Sequence, residues 1–298
     1  MFGQILGIIA PILLCAGVGL VWVRLEYDFP TDFVTRTIIY LGAPCMVLSS
    51  LTRMHADILA ILTTIGAGFA IMSLVGLVGW LIMRFRAMDI HSFLPSVLFP
   101  NCGNMGLPLC LFAFGPEGLT LGVGYFVAML FFQFTLGNFI YSHGRGPWTD
   151  QLRDLSRQPV IYAMVIGLIC MKNNWGLPPW AANTTRLLGD LTIPLMLLTL
   201  GASLARLKVG AWKMGLGFSL LRIFGGLAVA WALCSLVGIE GLTRKVILLQ
   251  SAMPVAVFNY LFALHYGRKH EDVAGIVVVS TLMGFAFLPI LIWFLMGA

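Results

Sequence analysis

Charge is what this sequence has least of. Of its 298 residues only 10% are Asp, Glu, Lys or Arg, against 59% hydrophobic, where a soluble domain carries roughly a quarter charged. Long polar stretches are equally scarce, which leaves no room for a soluble domain. Acids number 12, and most sit at loops or at the ends of apolar runs. The six cysteines, Cys15, Cys45, Cys102, Cys110, Cys170 and Cys234, lie singly in apolar stretches. Without CxxC or His/Cys ligand spacing they read as small buried hydrophobes, with no disulfide framework and no metal site. There is no HExxH, no Ser/Lys dyad and no two-carboxylate constellation, which argues against an intramembrane enzyme. No P-loop is present, which argues against ATP-driven transport by this chain alone, and no cofactor motif is found. The net charge of +6 would suggest nucleic acid in a soluble protein. Here the basic residues fall in short loops between apolar runs, where they orient a membrane protein instead.

What is abundant is apolar length. At about 20 apolar residues per crossing, the chain divides into ten spans, near 3–23, 33–52, 57–83, 92–114, 118–141, 158–172, 182–205, 214–237, 243–266 and 273–296. The N-terminal "MFGQILGIIAPILL" has no basic leader and runs on as a full-length span, so it reads as the first helix rather than a signal peptide. The longest polar segment, 142–159, separates five spans from five. An internal repeat follows: "TRTIIYLGAP" ends at Pro44 and "TRLLGDLTIP" at Pro194, so Arg36 and Arg186 stand 150 residues apart, as do the two prolines. An odd number of spans per copy inverts the second copy. The expected fold is an all-α polytopic membrane protein: a first five-helix repeat over 1–141, a connecting loop over 142–157, and a second, inverted repeat over 158–298. Inverted repeats with interrupted helices are the architecture of many secondary transporters, whose sites lie at the midplane.

Lys and Arg are unevenly divided between the two faces. One face carries Arg24, Arg36, Arg84, Arg86, Arg145, Arg153, Arg157, Arg206, Lys208, Lys213, Arg268 and Lys269; the other carries Arg53, Lys172, Arg186, Arg244 and Lys245. Positive charge favours the cytoplasm, so both termini are expected outside a cell (inner) membrane. Arg222 falls inside the eighth span, where it either snorkels to the cytoplasmic end or faces a cavity. The histidines, His55, His91, His143, His265 and His270, sit near span ends.

Inside span 4 lies "FPNCGNMGLPLC", residues 99–110. Pro108 cannot donate to the carbonyl of Asn104, nor Pro254 in span 9 to that of Gln250, so each helix loses a backbone bond near its middle. Broken helices 4 and 9 are expected to cross there, with the half that begins near Pro108 pointing free N–H groups and a positive dipole end inward, an end that attracts anions. Gly103 and Gly106 allow a turn and a close approach. Asn101 and Asn104 offer neutral amides to a carboxylate, and Asn259 does the same beside Pro254. The candidate substrate site comprises Asn101, Gly103, Asn104, Pro108, Gln250, Ser251, Pro254 and Asn259. No Lys or Arg falls within the crossing segments, so the site is expected to lack fixed positive charge and to draw anions through dipoles and amides alone. Simple kinks and packing points would also account for these residues one by one. Asp190 is the acid placed deepest inside a span; it is a candidate proton carrier, because desolvation favours protonation, or an i, i+4 partner of Arg186.

"PNCGNMGLPL", "LTIPLMLLTLGASLA" at 191–205, and "SAMPVAVFNYLFALHYG" followed by "VAGIVVVSTLMGFAFLPIL" together resemble the auxin efflux carrier family. The resemblance spans nearly the whole chain. It implies ten helices with spans 4 and 9 crossing, a scaffold of spans 1, 2, 6 and 7, a mobile transport part from the rest, and often a homodimer. It also singles out Asn101 and the acid opening span 3, Asp57, as a second coupling candidate. The long cytoplasmic loop of many plant members is absent, which weighs against a hormone substrate. The implied activity is secondary transport of small organic anions, mono- or dicarboxylates, possible partners being protons and the lipid bilayer. A sodium-coupled carrier of the related bile acid type is the alternative; it would need clustered carboxylate and carbonyl ligands for a hard cation, and acids are missing near the breaks.

The orientation is open to a direct check. In a cysteine-free background, cysteines placed at Ser142 and Thr149 are expected to stay unreactive to an impermeant thiol reagent in intact cells; labelling at either would invert the topology.

Overall fold

In a computed structural model, residues 2–53, 57–142, 148–207 and 212–297 are described. His55, His143, Arg145, Lys208 and part of the connecting loop expected at 142–157 lie outside the described residues. The rest of that loop is not extended: Trp148–Ser156 forms a helix.

The architecture is almost entirely helical, as apolar segments in a lipid solvent require, because only a helix satisfies its own backbone there. In chain order the helices are α1 (Phe2–Arg24), α2 (Thr31–Arg53), α3 (Ile58–Phe85), α4 (Ile90–Leu98), α5 (Cys102–Tyr141), α6 (Trp148–Ser156), α7 (Pro159–Lys172), α8 (Pro179–Arg206), α9 (Trp212–Val237), α10 (Gly241–Ser251), α11 (Phe258–His265) and α12 (His270–Gly297). Among the described residues, seven of them are long and apolar enough to cross a membrane. The longest, α5, covers 40 residues but does not run straight. At Gly115 the backbone takes φ 71°, ψ −167°, a region closed to residues with a Cβ. The turn divides α5 into an arm before and an arm after that glycine. Asp57 opens α3 by accepting the Leu59 amide at 2.9 Å, an N-cap. Asp89 caps α4 in the same way from His91 and Ser92. Burial alone would raise the Asp89 carboxyl, but the bonds from Ser92 and His91, with Lys269 nearby, hold it below its ordinary range.

By their larger contacts the helices fall into two sets, which also touch each other where α5 meets α1, α2 and α8. α1 lies along α8, α2 along α7, and α2 also touches α8. In the other set α3 packs on α4, α5 and α9; α12 packs on α9 and α4; and α10 packs on α5. The contact between α1 and α8 is close because both present glycine: the backbone carbonyl of Leu198 fills the place of a Cβ at Gly19, and that of Ala16 the place of a Cβ at Gly201. Small residues at such seams are how membrane helices gain packing energy without a hydrophobic effect between them.

Gly201→Ala is therefore expected to force α1 and α8 apart and lower stability by about 1–3 kcal/mol, read as a fall in unfolding temperature in detergent. Gly217→Ala, at a position with open space around it, should leave that temperature unchanged or slightly raised.

Candidate functional site

Two chain breaks meet inside the helical body. α4 stops at Leu98 and α5 starts at Cys102; α10 stops at Ser251 and α11 starts at Phe258. Pro100 and Val255 face each other in an antiparallel bridge. The Asn101 amide donates to the Pro254 carbonyl at 2.7 Å, and the Ala256 amide donates to the Phe99 carbonyl at 3.1 Å. Each break thus satisfies the other's backbone where no water is available. Pro100 suits this position because it has no N–H to leave unpaired.

The first break differs in place from the one expected at Pro108. It lies at Pro100 and Asn101, and Pro108 sits buried in the first turns of α5. Residues Cys102–Gly106 form a π-turn in which the amides of Met105 and Gly106 reach back to the Asn101 carbonyl. The wider turn has already displaced the regular bonding ladder ahead of Pro108, so that proline continues the helix instead of ending it. Pro254 does occupy the second break, its ring against Gly284.

The remaining candidates divide by what they touch. Asn101, Gly103 and Asn104 line a cavity of about 40 Å³ beside the crossing, room for a few waters. Its walls are otherwise largely apolar, with Ile38, Phe126, Met129 and Met196 among them. Asn101 is 3% exposed, and its Nδ2 is buried without a partner. Gln133, from a second π-turn in α5, lines the same cavity with an unpartnered Oε1; sequence reasoning passed over it, although a Gln in the apolar run "LFFQF" is a signal. Asn259 is committed to the fold: its Nδ2 donates to the Phe99 carbonyl at 3.2 Å. Tyr141 donates its hydroxyl to the Asn259 carbonyl at 3.0 Å, its ring stacked between Phe262 and Tyr266. Ser251 pairs with Tyr125 at 3.0 Å. Gln250 is buried against Gly106 with its Oε1 unpartnered.

Asp57 and Asp190 lie away from the cavity at the crossing. Asp57 is exposed at the start of α3. Asp190 pairs with Arg186 at 3.6 Å, its side chain 73% exposed, and lines a second, larger cavity of about 430 Å³ with Arg53, Ser49, Ser50 and Pro194.

The expectation that no fixed positive charge lies near the crossing is overturned. Arg222 neither snorkels nor reaches solvent: it is fully buried. Its Nη1 donates to the Val97 carbonyl at 2.9 Å, Nη2 to the Ser251 carbonyl at 2.7 Å, and Nε to the Met253 carbonyl at 3.4 Å. The crossing segments themselves hold no basic residue, but α9 brings one to them. A π-turn over Leu221–Gly225 aims the side chain, and Gly226 leaves space for the Ser251 carbonyl and the guanidinium.

Residues 149–294 match the family model described as membrane transport protein. An uncharacterized transporter of Methanocaldococcus jannaschii is 25% identical over 269 residues, covering 86% of each chain. An uncharacterized transporter of Methanothermobacter thermautotrophicus is 25% identical over 268 residues, again covering 86% of each. A probable auxin efflux carrier component 5b of rice, Oryza sativa, is 27% identical over 146 residues, which cover 46% of this chain and 39% of the relative.

Tyr141→Phe keeps the ring stack and deletes only the hydroxyl that holds the second break. It is expected to cost about 1 kcal/mol of stability, measured by unfolding in detergent. Tyr162→Phe, which loses an exposed hydroxyl bond to Ser156, should cost less than half of that.

Proposed function

We propose that this chain is a membrane transporter of the auxin efflux carrier family and that it moves small organic anions, such as mono- or dicarboxylates, across the cell membrane by alternating access of the elevator type. The observation that carries this reading is the free amide of Asn101, a donor buried at the crossing and aimed at no protein acceptor. A carboxylate oxygen is what such a donor lacks.

The packing supports two moving parts. α1, α2, α7 and α8 form the scaffold of this reading, and the helices around the crossing form the transport part. It also supports ten spans in two inverted repeats, since pairings recur with the halves exchanged: α2 on α7 as α8 on α1, α3 on α4 as α9 on α10, and α4 on α12 as α10 on α5. In this reading each broken helix counts as one span and α5 as the end of one and the whole of the next. The domain boundaries are those of the sequence repeat, with both termini extracytoplasmic and two copies pairing as a homodimer. The cavity at the crossing, at about 40 Å³, is too tight for a loaded carboxylate, so loading requires the two parts to separate. The larger cavity beside Arg53 and Asp190 is the access path from the extracytoplasmic side.

Uptake into proteoliposomes across a panel of mono- and dicarboxylates, with and without pH and sodium gradients, identifies the substrate. With the best of these, Asn101→Ala should bind more weakly by roughly tenfold to a hundredfold, the worth of one charge-assisted hydrogen bond. Equal affinity in wild type and variant, or a wild-type preference for cations or neutral solutes, would remove this reading.

A further inference from the structure

A crossing of two broken helices has no preferred sign of charge. It presents two helix N-termini, which are positive, and two C-termini, which are negative. Here the N-terminal ends are those of α5 and α11, and the C-terminal ends those of α4 and α10. The orphan carbonyls of both C-terminal ends converge on one side chain. Arg222 donates to Val97 at the end of α4, to Ser251 at the end of α10, and to Met253 just beyond it. Among the described residues it is the one fully buried charged side chain, and no carboxylate pairs with it, the ion pair found being Arg186 with Asp190.

We propose that Arg222 is the fixed countercharge of the substrate site: it cancels the two negative helix ends, leaves the two positive ends dominant, and so selects a single carboxylate over both its neutral amide and a dicarboxylate. This rests on the organic-anion reading above and narrows its substrate class. A buried guanidinium keeps its charge; the three carbonyls satisfy its donors, but no carboxylate offsets the cost of taking that charge out of water. A monoanion at Asn101 completes the pair and brings the crossing to neutrality. A dianion would leave one uncompensated negative charge in the same apolar interior. A neutral solute would leave the positive one. Arg222 does not line the cavity and acts on the substrate through space. Asn101 lies four positions along the chain from Val97, a reach of roughly 10 Å. At that distance and an effective dielectric constant of about 20, the attraction is on the order of a tenfold change in affinity.

Arg222 is thus a positioning and specificity residue, and charge must be separated from hydrogen bonding to test it. Arg222→Lys keeps the charge and gives up the fork. Arg222→Gln keeps two donors and gives up the charge. The probes are butyrate, succinate and butyramide, measured by equilibrium binding and by exchange in proteoliposomes. Wild type is expected to prefer butyrate to both others by about tenfold or more. Arg222→Lys should retain that order at a reduced transport rate, and Arg222→Gln should flatten it. If both variants keep the order, or both lose it alike, Arg222 only holds the backbone and the proposal fails. The wild-type order needs no variant to fold: a wild type that prefers succinate overturns the single countercharge while leaving organic-anion transport intact. A wild type that binds neither acid, nor any carboxylate of the uptake panel, sinks the organic-anion reading on which the proposal stands.

Discussion

Two backbone hydrogen bonds in the middle of the helical body organise the molecule: Asn101 to Pro254, and Ala256 to Phe99. Breaking a helix inside a membrane exposes polar groups that lipid cannot satisfy, at a cost of several kcal/mol for each one left bare. Breaking two at one place lets each repair the other. Everything nearby serves that exchange. Asn259 adds a side-chain donor to Phe99, Tyr141 steadies Asn259 from α5, and Arg222 takes up carbonyls that the exchange leaves over. With the backbone satisfied in this way, the side chain of Asn101 is left without a task in the fold.

Much of the fold was legible because apolar length and punctuation are local. The gap between the fourth and fifth apolar runs contains Gly115, and the structure turns there on a φ that glycine tolerates. The cluster from Pro100 to Gly106 was legible as a break in the same way. Its position was misjudged, since two prolines eight residues apart compete for one role. The outcome turned on a partner segment some 150 residues away, at Val255, which no local rule supplies. Gln133 and Arg222 show the other limit. Each is a lone polar residue in an apolar run, visible as an anomaly, but its meaning depends on a π-turn that rotates it toward the crossing. Asp190 shows the reverse: depth along the sequence suggested burial, yet the helix presents it on an open face beside Arg186.

The two packing sets gain their stability in different ways. α1 and α8 meet through glycines at backbone contact, a seam with little tolerance for sliding. The cavity between α2, α8 and the broken helices is instead lined by side chains such as Met129, Met196 and Phe126. Thioether and aromatic surfaces re-pack at small cost, so this boundary is held less rigidly than the glycine seam.

The exchange between the two breaks also orders events in time. During synthesis the first half of the chain emerges with the Phe99 carbonyl and the Asn101 amide unmatched, and their partners follow some 150 residues later. Until Pro254 and Ala256 arrive, the first broken helix has no stable interrupted form; it must stay shielded by water, by the insertion machinery or by a transient continuous helix. The two halves, however alike in pattern, therefore cannot mature one after the other. The late half completes the early one.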